Sequence, residues 1–154
     1  MKDADWIVAI HEAGHAVAAI RAGLVFDAVS IEPDELLELD GALYWNEMEE
    51  IGEIAMPPEL LAVVLLAGPC AEARERGLRP DRMFLGEGAT QDREAMATLG
   101  LTESQFVAAS REAMELVERD WALIQQVAGE LEDGASLSYE DVEDIVDAAE
   151  QGAR

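Results

Sequence analysis

Between Trp6 and Ile20 the chain carries one full charge, Glu12, and that charge sits between His11 and His15. At helical pitch Trp6, Ile10, Ala13, Val17 and Ile20 fall on one apolar stripe that would face a core. Residues four apart lie one turn above each other on a helix, so His11 and His15 can aim two imidazole nitrogens at one point. Glu12 lies about 100° round the helix, where its carboxylate reaches a water on a bound cation without ligating the cation. The bland alternative is a pair of satisfied core or surface histidines, because bare His-Glu-x-x-His strings also arise by accident. Against it, the chain has two histidines in all, and both fall in this string.

The helix carrying the string is expected over about 4–22, with Asp3 or Asp5 as its cap and Gly23 beyond its end. His11 and His15 would flank its apolar stripe, at the edge of the core. Gly14 inside it costs about 1 kcal/mol relative to alanine. Close approach of another backbone would account for that glycine.

Residues 26–32 alternate apolar and polar and stop at Pro33, which reads as a half-buried strand. Ala42 to Trp45 reads as a second, so a small hairpin or sheet is expected over about 25–46. A strand at a sheet edge beside a metal helix can receive a substrate backbone, and 26–32 is the candidate; a purely structural strand is the alternative.

Pro58 suits the first turn of a second helix running to Arg76, with Gly77 as its stop. Leu60, Leu61 and the apolar run from Val63 to Leu66 cover nearly its whole circumference, so this half should be the central core helix. Gly68-Pro69 should kink or break it. Glu72 follows, either as a carboxylate that orients a ligand histidine or as an ordinary solvated acid. Farther on, Gly86 to Met96 is a glycine-containing loop feeding a helical segment over about 86–98. Thr102-Glu103-Ser104-Gln105 is a capping box opening a long helix to about 133, and Ser138 to Asp141 caps a last helix over about 138–150.

A catalytic zinc site takes three protein ligands and keeps one position for water. No third histidine exists, and Cys70 stands in an apolar stretch as a buried spectator. The third ligand is therefore a carboxylate, and 34 are on offer. Spacing alone leaves that choice open.

Composition narrows the function classes. A formal net charge of −24 argues against nucleic acid and anionic membranes, both of which would repel the chain. A single cysteine gives no internal disulfide framework. The acidic start lacks the basic region of a secretory signal, and the apolar stretch Leu60–Ala71 is too short for a bilayer that needs about 20 residues. A cytoplasmic protein without membrane insertion is expected, folded as a single domain over 1–154.

Three segments in order, His11-Glu12-Ala13-Gly14-His15-Ala16, Leu66-Ala67-Gly68-Pro69-Cys70-Ala71-Glu72 and Gly88-Ala89-Thr90-Gln91-Asp92, resemble the peptidase domain of the membrane-anchored AAA+ zinc proteases, the FtsH-like M41 metallopeptidases. The first segment matches that family fully, the other two in part; Pro69 and Cys70 replace the usual Arg-Ala. The resemblance implies zinc held by His11, His15 and Asp92, Glu12 as general base and Glu72 as a supporting carboxylate. Read from the residues alone, Asp92 is equally well a helix N-cap. The resemblance also suggests a ring or other homo-oligomer; a separate ATPase or adaptor is a further candidate partner. No Walker A string or transmembrane segment is present, so ATP dependence does not carry over.

These readings give a mainly α (α+β), zincin-like helical domain with a small β-element beside the metal helix. Its expected activity is zinc-dependent hydrolysis of peptide bonds in a polypeptide substrate. The competing expectation is a proteolytically inactive zinc-binding interaction or adaptor module; an accidental motif on a helical adaptor is the third. The oxyanion-stabilising group has no candidate.

Overall fold

A computed structural model describes residues 4–31, 42–44, 56–78, 99–134 and 136–152. Five helices and three short strands are defined among them. In chain order they are α1 (Ala4–Ala22), β1 (Ala28–Ser30), β2 (Ala42–Tyr44), α2 (Pro58–Arg76), α3 (Glu103–Arg119), α4 (Trp121–Gly134), β3 (Ser136–Ser138) and α5 (Tyr139–Gly152). The chain is thus mainly helical with a small antiparallel sheet.

Helix α1 is the hub, packing on α2 along one side, on α4 along another, and on α5 and β1. Every residue from Ala9 to Ala19 is buried, so the expected apolar stripe with the histidines at its edge is corrected to a helix enclosed all round. Alanine and glycine make this enclosure feasible, since small side chains let neighbouring backbones close in from several directions. Gly14 marks the closest approach: a Cβ added there would lie 2.6 Å from the carbonyl oxygen of Ala67 and 2.9 Å from the Ala71 Cβ, both on α2.

Helix α2 is buried from Leu61 to Ala73, whereas Leu60, on the first turn, is 36% exposed. It starts after Pro57 with Pro58 in the first turn and runs through Pro69 as one helix, so of the expected kink or break at Gly68-Pro69 the break is absent. Both α1 and α2 end on a left-handed glycine, where nothing opposes a positive φ. Gly23 (φ 77°) donates to Ile20 O at 3.2 Å while Leu24 donates to Ala19 O at 2.9 Å; Gly77 (φ 70°) and Leu78 repeat the pattern on Arg74 O and Ala73 O.

The long helix expected to about 133 is two helices. Asp120 leaves the helical conformation (φ −102°, ψ 19°), and its buried carboxylate receives the Arg21 guanidinium on both oxygens at 3.1 Å. That tertiary pair, invisible in local periodicity, fixes the break. Thr102 and Gln105 cap α3 reciprocally, and Ser138 with Asp141 do the same for α5.

Strand β1 pairs antiparallel with β2 on one edge and with β3 on the other, giving the order β2-β1-β3 with Val29 opposite both Leu43 and Leu137. The strand expected at 26–32 is therefore central, and the idea that it receives a substrate backbone is corrected. Its hydrogen-bonding edges are already taken by its two neighbours. No helix among the described residues is long and apolar enough to cross a membrane.

Candidate metal centre

His11, Glu12 and His15 project from the middle of α1, with exposures of 7%, 6% and 5%. One ligand-capable atom from each lies within 4.8 Å of the other two, the one such group of three or more found among the described residues. The two imidazole rings meet edge-on, centroids 4.9 Å apart at 71°.

What orients them lies on α2. His11 Nδ1 is 2.8 Å from Glu72 Oε1, and His15 Nδ1 is 2.8 Å from the carbonyl oxygen of Val64. A carbonyl oxygen only accepts, so His15 donates through Nδ1, and the Glu72 carboxylate accepts the corresponding N–H of His11. In the neutral rings this leaves both Nε2 atoms with lone pairs, and these two atoms face each other at 3.2 Å. Two lone pairs repel at that distance unless a proton or a cation lies between them. Nitrogens each about 2.0–2.1 Å from one tetrahedral zinc stand about 3.3–3.4 Å apart, so the observed spacing fits a shared metal.

Gly68 completes the support. A Cβ there would fall 2.3, 2.5 and 2.7 Å from Nε2, Cε1 and Cδ2 of His15. Near-equal distances to three ring atoms place the Gly68 backbone against the ring face. Any side chain at 68 would push the imidazole aside.

Glu72 is itself buried, at 5% exposure, and divides its oxygens: Oε1 meets His11, and Oε2 meets Arg76 Nε at 2.9 Å. Nearby, Trp6 donates its indole N–H to Glu75 at 2.8 Å, tying the start of α1 to the end of α2. Cys70, on the same helix, is free and buried, and burial pushes its thiol up to about 12. An un-ionised, enclosed thiol is a spectator in this region.

The sequence-derived site residues thus divide in two. His11, Glu12, His15 and Glu72 are brought together; Asp92 and the segment 86–98 lie outside the described residues. Sequence reasoning missed the Val64 carbonyl, Gly68 and Arg76. A backbone carbonyl leaves no trace in a sequence, and the role of Gly68 needs the helix crossing to be known. Arg76 did leave a signal, four residues after Glu72 on one helical face.

A scan of protein-family models finds none that matches the chain, and a search of curated proteins finds no matching relative.

Proposed function

We propose that this chain is a zinc-dependent metallopeptidase in which His11 and His15 hold the metal and Glu12 is the general base. The observation that carries the reading is the pair of Nε2 atoms 3.2 Å apart, each on a ring whose Nδ1 is committed to an acceptor. Ligand histidines characteristically donate their other nitrogen to a carboxylate or a backbone carbonyl, and here one of each is used. Asp92 is the proposed third ligand, on the M41 resemblance, and the fold is proposed to be zincin-like. Zinc held there would supply Lewis acidity for a peptide carbonyl and for a water near neutral pH.

The rest is done by the chain. His11 and His15 present lone pairs because their Nδ1 protons are occupied elsewhere. Glu12, within 4.8 Å of both, accepts a proton from the attacking water and returns it to the amine that leaves, so the carboxylate is regenerated. The enclosure of α1 limits competing solvent around that carboxylate.

The test is cleavage of unfolded polypeptides by zinc-loaded protein, followed by mass spectrometry, for wild type beside Glu12→Gln. The expected result is cleavage in wild type and a loss of about 10²–10⁴-fold in the variant with zinc retained. A zinc-loaded wild type that cleaves nothing overturns the peptidase reading. It would leave the inactive zinc-binding module, a reading favoured by the near-complete burial of both imidazoles.

A further inference from the structure

We propose that Arg76 is a positioning residue for the metal centre, acting through Glu72 on His11. The inference rests on the metal reading above and extends it outward by one group. Arg76 Nε lies 2.9 Å from Glu72 Oε2, and Glu72 Oε1 lies 2.8 Å from His11 Nδ1. Three side chains therefore form a continuous line, guanidinium to carboxylate to imidazole, leading from the surface to the nitrogen that faces His15.

The burial gradient along this line sets the roles. The Arg76 side chain is 48% exposed and that of Glu72 only 7%. Glu72 therefore has little solvent to satisfy its second oxygen, and Arg76 supplies that partner. A carboxylate fixed at both oxygens has one orientation, and that orientation holds the His11 ring with Nε2 turned toward His15. Released at Oε2, the carboxylate can rotate toward water, and the acceptor for His11 Nδ1 loses its fixed direction. Both residues lie on α2, four apart, so their contact survives small shifts of α2 against α1.

The other arginine of that turn serves a different purpose. Arg74 donates to Glu118 on α3 and lies over the Trp121 ring at 4.2 Å from its centroid, away from this line. It is the natural control.

The experiment measures zinc affinity by competition with a chromophoric chelator, on wild type, Arg76→Ala, Glu72→Gln, the double variant and Arg74→Ala. Circular dichroism confirms that each is folded. Arg76→Ala is expected to bind zinc about tenfold more weakly, the low end for groups outside the ligand set. Because Arg76 acts through Glu72, the double variant should be no weaker than Glu72→Gln alone, and Arg74→Ala should match wild type. Arg76→Lys, which restores a cation within reach, should recover part of the loss. Unchanged affinity in Arg76→Ala, additive losses in the double variant, or an equal loss in Arg74→Ala overturns the proposal while leaving the metal reading intact. Absence of zinc binding by wild type overturns both.

Discussion

The backbone of Gly68 on α2 lies flat against the imidazole face of His15 on α1, so close that a single added carbon would sit 2.3 Å from Nε2. Two helices thus meet where one must present a ring and the other must present nothing. The direction of His15 Nε2 is set by this contact as much as by the hydrogen bond of Nδ1 to Val64 O. Gly68→Ala should displace the ring, weaken zinc binding at least about tenfold and cost about 1–3 kcal/mol of stability through overpacking. Chemical denaturation and chelator competition on the same sample check both. Native affinity in Gly68→Ala would show that the ring accommodates the methyl.

Gly14→Ala probes the same crossing away from the histidine rings. Its added methyl meets the Ala67 carbonyl at 2.6 Å, and backbone cannot move aside as a side chain can. A stability loss of about 1–3 kcal/mol is expected, from strain that outweighs the helix propensity gained. A Gly14→Ala protein more stable than wild type would contradict the crossing distance.

Arg21 ties α1 to the junction of α3 and α4 and to α5. It reaches the buried carboxylate of Asp120 with two hydrogen bonds and also donates to Glu150 on α5. Asp120, followed by Glu150, holds the guanidinium above its usual pKa. Asp120→Ala should cost about 1–3 kcal/mol, less than a fully buried pair because the arginine side chain is 30% exposed. Arg21→Ala should cost as much, and the double variant should cost little more, in a denaturation cycle.

Cys70 gives stability a dependence on alkaline pH. Its folded thiol is raised from 9.0 to about 12 by burial. A raised folded value means that this contribution is complete below the unfolded value and is lost as pH climbs through the folded one. Between about pH 9 and 12 the unfolded chain releases the proton first, and stability should fall by up to about 1.4 kcal/mol per pH unit from this group. Cys70→Ala should remove that component of the slope. At pH 8 a thiol reagent should label Cys70 only after unfolding; fast labelling of native protein would contradict its burial.

Caps offer a smaller test. Thr102 Oγ1 accepts from Gln105 N at 3.2 Å while Gln105 Oε1 accepts from Thr102 N at 2.8 Å, so Thr102→Ala should cost about 1 kcal/mol. Gln105 also donates to Glu59 at the start of α2, so Gln105→Ala should cost more than the cap alone.

Local chemistry made much of this architecture readable in the residues. Gly23 and Gly77 announce helix ends because their left-handed turns exclude most side chains. The Thr102 and Ser138 boxes announce helix starts because their bonds close within four residues. The spacing of His11 and His15 pointed to convergence, since one helical turn fixes their relative direction.

Nonlocal partners set what could not be read. The division at Asp120 depends on Arg21, 99 residues away. The central place of β1 depends on Ser136–Ser138, a three-residue strand too short to show an alternating pattern. Glu72 reads as well solvated as buried until the crossing of α1 and α2 puts it beside His11.

Metal content decides whether His11 and His15 hold zinc. Protein purified without added zinc and then equilibrated with it should contain about one zinc per chain by elemental analysis, as three protein ligands and a water position require. His15→Ala and Asp92→Ala should each lose or weaken that zinc while remaining folded. No stoichiometric metal in wild type, even with zinc supplied, would contradict zinc binding and leave His11 and His15 as core histidines that share a proton.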